Sequence, residues 1–477
     1  MAIKTDVLII GAGIAGCSIA RELSKYELDV TLVEKEVDVG WGQTKASYAI
    51  CHPGARWAPG TLAQEMIAES NSIIDQLVDD LDIDFRRLGE LILAFNDEEL
   101  ECLKAIKKQG EHLHIDGLEI IDKNKIQRLE PNVNPAAMAA LYMPTAGIFD
   151  PFELVHAFYE NARENGVSML MGTEVTAIVQ EKGEFKVETD QNEIQASYVV
   201  NAAGLHAAKV AGMVGADNFK ISYATKGTCF ILDDCMGNIV NHIVTGLPDL
   251  QSFTRFKLVM PTYAGNLLIY TPISEPAHGI NDRAVEERTF DLTLESARSL
   301  VPDVDLKRYI IASFSGLTAR NDRSDFIIEA SDKYKGFVNV ALPPPGITCS
   351  PALGKRVAQI LKENGLVQTE KPHFHPYRKG INSIRDLSEP QIRERIQEDP
   401  RYGKVVCRCE KVSEAEIVDA IQRGASTLDG VKFRTRAGMG RCQGNFCGPK
   451  SAGVLARELD QPLEKITKKG PGSHYTI

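Results

Sequence analysis

The stretch Asp6-Val-Leu-Ile-Ile-Gly11-Ala-Gly13-Ile-Ala-Gly16 decides the fold of this chain. An apolar run of strand character ends in a glycine-rich turn, which opens into a helix-compatible stretch from Cys17 to Leu23. A second short strand follows at Val30-Thr-Leu-Val-Glu34. Gly11 permits the tight turn, Gly13 lets the backbone approach a pyrophosphate, and Gly16 lets helix and strand pack closely. The N–H groups and the dipole at the start of the helix favour an anion there. Glu34, 18 residues past Gly16, is placed to accept hydrogen bonds from a ribose. A glycine fingerprint alone is weak. Set between two strands and followed by an acid at this distance, it predicts a bound dinucleotide, either NAD or FAD.

Near the C-terminus, Cys407, Cys409, Cys442 and Cys447 read C-x-C, then 32 residues, then C-x4-C. Four thiolates suit a 2Fe-2S cluster or a structural zinc ion. Zinc ribbons favour C-x2-C at both ends, so this spacing fits iron–sulfur better, and a disulfide pair fits worst.

The chain has 477 residues, enough for two or three domains. Its apolar and charged fractions, 43% and 25%, are those of a globular protein. A net charge of −11 argues against nucleic acid, which wants a basic patch, and against a polybasic membrane surface. No apolar run approaches the roughly 18 residues that span a bilayer. Ten cysteines without a secretory signal point to reduced thiols and a cytoplasmic location.

Apolar positions recur at helical intervals over 62–81 and 97–110. Strand-like segments recur at Phe185–Thr189, Tyr198–Asn201, Thr228–Leu232, Asn266–Tyr270, Phe326–Glu329 and Phe337–Ala341. There is no internal repeat. Glu370–Lys379, rich in Pro, His and charge, reads as a linker, with His373 and His375 solvated rather than metal-bound. A charged helical stretch at 388–398 leads to the cysteine domain from about Lys404.

Further motifs are Pro59-Gly-Thr61 after a loop holding His52, Val199-Val-Asn-Ala-Ala-Gly204, Pro261-Thr-Tyr-Ala-Gly-Asn-Leu-Leu268, Ser313-Phe-Ser-Gly-Leu317, Asp325-Phe-Ile-Ile328, and Pro345-Gly-Ile-Thr348 before Pro351-Ala352. Together with the fingerprint they resemble the D-amino-acid-oxidase-like FAD oxidoreductases over about residues 5–370. Within these, the similarity is to the group of anaerobic glycerol-3-phosphate and L-2-hydroxyglutarate dehydrogenases. The cysteine spacing resembles the bacterioferritin-associated-ferredoxin-like domain, which carries a 2Fe-2S cluster.

The resemblance implies an α/β fold: a Rossmann-like FAD-binding domain interrupted by a sheet-rich α+β substrate domain, plus a small C-terminal 2Fe-2S domain. The FAD-binding domain is expected at 1–85, 145–220 and 320–370, the substrate domain at 86–144 and 221–319, a linker at 371–403, and the cluster domain at 404–470. It assigns FAD contacts to Gly11, Gly13, Ile14, Ala15, Gly16, Glu34, Lys35, Thr44, Ser47, Val175, Ala203, Gly204, Gly346, Ile347 and Thr348, and the cluster to the four cysteines. The helix after Pro345 is expected to face the flavin pyrimidine edge, where its dipole stabilises negative charge. A flavin takes two electrons and releases them singly, which suits a neighbouring cluster.

The substrate pocket departs from the family. Thr318 stands where an arginine is usual, with Arg320 two positions on; Lys226-Gly227 replaces Arg-Gly; Pro343–Pro345 replaces a glutamate-serine loop. Tyr270-Thr-Pro272 and Ser47-Tyr48 also differ from the family pattern. Lysine does not reproduce arginine's bidentate grip on a phosphate or carboxylate. His52 is the first candidate for the base, or for a covalent flavin link; His242 is the second. Arg320, Lys226 and Arg255 are candidate anion clamps, and Tyr263 a lining residue. Cys51, Cys229 and Cys349 read as small buried hydrophobes.

The expected function is FAD-dependent oxidation of a small anionic 2-hydroxy acid or polyol phosphate. Electrons then pass to the cluster and on to an electron-accepting flavoprotein or iron–sulfur subunit in a hetero-oligomer. The altered pocket leaves two alternatives: an amine or amino-acid dehydrogenase, and a non-catalytic electron-transfer subunit.

Overall fold

The computed structural model describes residues 2–247, 256–273, 279–323 and 325–475. The opening motif forms strand β1 (Ile3–Ile10), helix α1 (Ile14–Leu23) and strand β2 (Val30–Val33). β1 runs parallel to β2 on one side and to Glu193–Asn201 on the other. Val7, Leu8, Ile9 and Leu32 are wholly buried. Strands covered on both faces lose polar alternation, which is why these segments read as continuous apolar runs. Ser168–Leu170 and Phe337–Ala341 extend the parallel set, and antiparallel strands complete an eight-stranded sheet.

One face of this sheet is covered by α1, by α2 (Leu62–Leu81) and by the helices Pro151–Glu164 and Gly346–Glu363, which share one apolar core. α1 meets the last of these closely: a Cβ on Gly354 would lie 2.8 Å from the Ser18 carbonyl oxygen. The opposite face packs against Ala207–Val214, which shares a core with the antiparallel strands Val175–Glu181 and Glu184–Thr189 of the same sheet. The helices expected at 62–81 and 97–110 form as Leu62–Leu81 and Asp97–His112, N-capped by the side chains of Thr61 and Asn96.

A second eight-stranded sheet collects segments far apart in sequence. Its order runs Ile310–Asn321, Ile221–Leu232, Leu267–Ile273, Leu258–Pro261, Ile243–Gly246, Glu90–Ala94, Ala139–Met143, Glu119–Asp122. Helix Glu287–Leu300 shares its core. The chain enters this sheet, returns to the first and enters again, which makes the nucleotide-binding part discontinuous.

The C-terminal part has a short hairpin (Val405–Cys407, Val412–Ser413) and three helices, Glu414–Gln422, Leu428–Thr435 and Gly448–Glu458, around a core of their own. It does not hang free. Phe433 stacks on Phe152 with ring centroids 4.3 Å apart and meets Trp41 edge-on at 6.1 Å. Arg434 forms a buried two-pronged pair with Asp38, one arm at 2.8 Å. Burial alone would raise the Asp38 pKa, but Arg434 overrides it and holds the carboxyl below its usual range. Residues 370–379 are strapped down as well. Asn161 donates to the His375 and Tyr377 carbonyls, and Arg378 is buried against Glu160, which also receives Arg423 at 2.8 Å. The His375 side chain is 58% exposed, as expected of a solvated histidine. No helix among the described residues is long and apolar enough to cross a membrane.

Removing one partner of a buried ion pair leaves an uncompensated charge, which costs about 3–5 kcal/mol. Arg434→Met should therefore loosen the C-terminal part from the rest. Limited proteolysis should then release a fragment of that size from the variant and not from the wild type; equal resistance would show that Arg434 does not hold the contact.

Candidate active site and cluster site

A cavity of about 260 Å³ runs from Glu34, over the start of α1, to the start of helix Gly346–Glu363. Gly13, Ile14 and Ala15 line it at the α1 N-terminus. Gly11 has φ +104°, and a Cβ there would lie 2.7 Å from the Ala202 carbonyl oxygen. A Cβ on Gly16 would lie 1.9 Å from the Gly11 carbonyl oxygen, so α1 can sit this close only with glycine there. The result is a wall of bare backbone, which a pyrophosphate needs. Thr44 Oγ1 accepts from the Ile14 N–H at 3.0 Å, tying the following loop to the helix start.

Glu34 is anchored by the backbone N–H groups of Ala12 (2.7 Å) and Glu36 (2.9 Å). Burial pushes its pKa up, against the pull of those two N–H groups. A smaller recess of about 80 Å³ adjoins it, lined by Val175, Lys35, Thr173, Ala203 and His206 among others. Its apolar floor and its place beside Glu34 fit an adenine. The Asn201-Ala-Ala-Gly204 turn is pinned by the Asn201 side chain, which donates to the Ala207 carbonyl (2.8 Å) and to Asn339 (2.9 Å).

At the far end Gly346, Ile347 and Thr348 line the cavity, and Thr348 Oγ1 donates to the Ile50 carbonyl at 2.8 Å. Ala46, Ser47, Tyr48, His52 and Thr318 complete this end. Gly227 and Gly316 face each other in register on neighbouring strands. A Cβ on Gly227 would strike the Tyr270 ring at 2.6 Å, and one on Gly316 the Ala46 Cβ at 2.3 Å. Gly316 lets the second sheet close against the loop that carries Ala46, and Gly227 makes room for the Tyr270 ring of the neighbouring strand. His52 is buried, with Nδ1 unpartnered among the described residues, 5.1 Å from the Trp57 ring. Burial, helped by the charge of Arg56, lowers its pKa to about 3, so the ring is neutral. Arg56 itself is buried against Glu90 and donates to Thr245 at 3.1 Å.

Other candidates are placed differently. Lys226 points away from the cavity that its neighbour Gly227 lines. It is 2% exposed and bonds Asp282 (3.1 Å) and Glu286 (2.9 Å), so its charge is already matched. This tie fixes the loop that brings Asn281 and Arg283 to the cavity wall. His242 lies outside the cavity, with Nδ1 2.6 Å from buried Glu130, whose carboxylate also accepts from the His242 backbone. Arg320 does not line the cavity, but it shares a strand face with Gly316 and Thr318, and its charge reaches the half-buried Tyr48 and Tyr270. Arg255 lies outside the described residues. Tyr263 lies under the Arg86 guanidinium (4.5 Å), away from the wall. Cys51, Cys229 and Cys349 are buried, and burial pushes their thiols up. Arg283, Trp41 and Gln43 line the cavity without having stood out in the sequence. Only the place of Trp41 and Gln43, just before Thr44, could have signalled them.

In the C-terminal part the four cysteine thiols form two pairs. Cys409 and Cys442 sulfurs are 4.0 Å apart, and Cys407 and Cys447 are hydrogen-bonded partners. Among the described residues no group of three or more His, Cys, Asp or Glu side chains is gathered about a single ion. The hydrogen bond with Cys447, with N–H groups of Gly438 and Glu410, lowers the Cys407 thiol to about 6, against burial. The Phe446 N–H, joined by those of Gly444 and Asn445, lowers Cys442. Backbone N–H groups aimed at sulfur stabilise thiolate, the ligating form.

A dinucleotide cradle beside a cysteine-paired redox site defines a flavin-linked oxidoreductase with an iron–sulfur centre. Residues 6–360 match the FAD dependent oxidoreductase family (DAO), to which the chain belongs, and residues 405–457 match the BFD-like [2Fe-2S] binding domain. It uses FAD and a 2Fe-2S cluster. The chain is 41% identical to a glycerol 3-phosphate dehydrogenase of Caloramator mitchellensis, over 98% of this chain and 97% of that one. It is 26% identical to one of the subunits of the anaerobic glycerol-3-phosphate dehydrogenase of Escherichia coli K12, over 95% of this chain and 88% of that one. The FAD-bound, dithionite-reduced L-alpha-glycerophosphate oxidase of Mycoplasma pneumoniae superposes with a TM-score of 0.73 at 26% identity, over 78% of this chain and 98% of that one.

Gly16→Ala should strip the flavin, because a methyl group 1.9 Å from the Gly11 carbonyl oxygen forces helix and strand apart. The flavin-to-protein absorbance ratio should fall several-fold while iron content is kept; a full flavin complement would show the contact to be dispensable.

Proposed function

We propose that the chain oxidises sn-glycerol 3-phosphate at the end of the cavity lined by His52, Tyr48, Tyr270 and Thr348, and that His52 takes the hydroxyl proton. When bound, FAD accepts the hydride from carbon and the 2Fe-2S cluster accepts electrons one at a time. The observation that carries this reading is His52 itself: buried, neutral and unpartnered at Nδ1, at the wall where the Gly346 helix begins. A neutral imidazole is the proton-accepting form, and such a base contributes about 10²–10⁴-fold. An anionic substrate brought beside it raises its proton affinity. Thus a weak base in the empty site strengthens as substrate arrives.

The phosphate falls to Arg283, on the cavity wall, with Arg320 on the neighbouring strand face. Planar guanidinium donors grip phosphate in pairs of hydrogen bonds. Lys226 acts indirectly, by holding the loop that carries Arg283. The similarity to named glycerol 3-phosphate dehydrogenases along nearly the whole chain supports this substrate. Thr318, Pro344 and Pro345 line the cavity without filling it, so these departures from the family pattern do not close the site. The Escherichia coli relative is named as one subunit of a larger enzyme, and by that likeness the chain works with partner proteins that receive its electrons. Ten free thiols support a cytoplasmic location.

Anaerobic mixing with sn-glycerol 3-phosphate should bleach the flavin band rapidly. His52→Gln should slow bleaching about 10²–10⁴-fold at unchanged flavin content; an equal rate in the variant would remove His52 from the chemistry. The acid limb of kcat should lie at higher pH than that of kcat/KM, since His52 holds a proton more tightly once the anion is bound. Coincident limbs would contradict that coupling. Bleaching by glycine or L-proline and not by glycerol 3-phosphate would move the assignment to amine substrates.

A further inference from the structure

The cluster site opens to the surface through one of its two cysteine pairs. Cys407 and Cys447 are each 1% exposed, whereas Cys409 is exposed and Cys442 partly so. Phe446, whose backbone N–H reaches the Cys442 sulfur, has its ring 76% exposed. It is among the most exposed large apolar side chains of the protein, and it stands on the loop that holds the cluster. An exposed aromatic ring in that place serves as an anchor for a partner better than as a packing element. Val405 (42%) is a second exposed apolar residue of the same unit, on the strand that leads into Cys407.

Charge singles out the partner. The whole chain carries −11, yet from Lys432 to Arg457 it has no Asp or Glu. Exposed Arg408, Lys411 and Lys450 flank the cysteines along the chain. Arg441, beside Cys442, is 72% exposed, but its charge is matched by Asp233 at 2.6 Å, which leaves Arg408, Lys411 and Lys450 to set the sign of this face. The acid closest in sequence to the C-x-C pair, Glu410, is buried and already taken by Arg385 and Arg436. The second sheet contributes the exposed Asp234 at one edge. The cluster edge is therefore a basic, aromatic-centred patch on an acidic protein, which steers an acidic partner to this face.

From these observations we infer that the Phe446 face is the docking surface for a small electron-carrier protein with an acidic surface. The inference rests on the reading that electrons leave through the cluster. One electron passes from the reduced cluster to the carrier, which is reduced by one; two such transfers discharge the pair taken from each substrate molecule. Redox encounters of this kind use small interfaces. One exposed aromatic anchor within a charged ring is enough to orient one.

The holoprotein would be titrated with an acidic flavodoxin and with a basic cytochrome c as probes, at low and high salt. The wild type should bind the flavodoxin, less tightly as salt rises, and bind the cytochrome weakly. Phe446→Ser keeps the backbone N–H to Cys442 and should weaken flavodoxin binding about tenfold or more. Lys450→Glu should weaken it at low salt only. Flavin bleaching by substrate and the visible spectrum of the cluster should be unchanged in Lys450→Glu, which separates failed docking from failed catalysis or folding. Flavodoxin binding indifferent to both substitutions would overturn the inference. So would preference for the cytochrome, or a self-associated dimer in sedimentation that Phe446→Ser dissociates.

Discussion

The architecture depends on one backbone contact, the approach of Gly16 to the carbonyl of Gly11, where a side chain would stand 1.9 Å from oxygen. It sets α1 directly over the end of β1 and aims the helix N-terminus along the cradle. α1 in turn seats helix Gly346–Glu363 through Gly354 and the Ser18 hydroxyl, which donates to the Ser350 carbonyl at 2.5 Å. The two helix N-termini thus bracket one cavity. The N–H groups and the dipole at a helix start favour negative charge, and here two such starts face the same space. Gly316 does the same for the second sheet, trading side-chain volume for closeness to the loop that carries Ala46.

The C-terminal part is built into this arrangement. Phe433 fills the space between Trp41 and Phe152, and Trp41 lines the cradle. The same helix ends at Arg436, and the Gly438 N–H two residues on touches the Cys407 sulfur. A few residues therefore separate the cradle wall from a cluster ligand. Arg434 and Asp38, buried and paired, hold that distance fixed, as does Glu160 between Arg378 and Arg423. Burial of charge is costly unless fully paired, so these contacts specify one docking geometry rather than merely add stability.

The parts legible in the sequence were local. The glycine fingerprint and the cysteine pairs declare their chemistry within a few residues, and apolar periodicity sufficed for α2 and for Asp97–His112. What depended on distant partners was not legible. Asp38 and Arg434 are separated by 396 positions, and neither stands in a motif. Lys226 occupies the position of an anion clamp, yet Asp282 and Glu286 claim it from another segment. His242 is likewise claimed by Glu130. Arg283 lines the cavity from the loop that Lys226 ties down through Asp282. Residue type and spacing give the available chemistry; which groups are already satisfied is decided by tertiary pairing.

If the cradle and the cysteine site work together, substrate electrons pass within one chain from the flavin to the cluster. Low-temperature electron paramagnetic resonance of anaerobic protein, frozen after sn-glycerol 3-phosphate is added, tests this directly. The signal of a reduced 2Fe-2S centre should grow as the flavin band bleaches, and should be absent when Cys442 is replaced by Ser. A bleached flavin with no cluster signal, in protein holding two irons per chain, would contradict it.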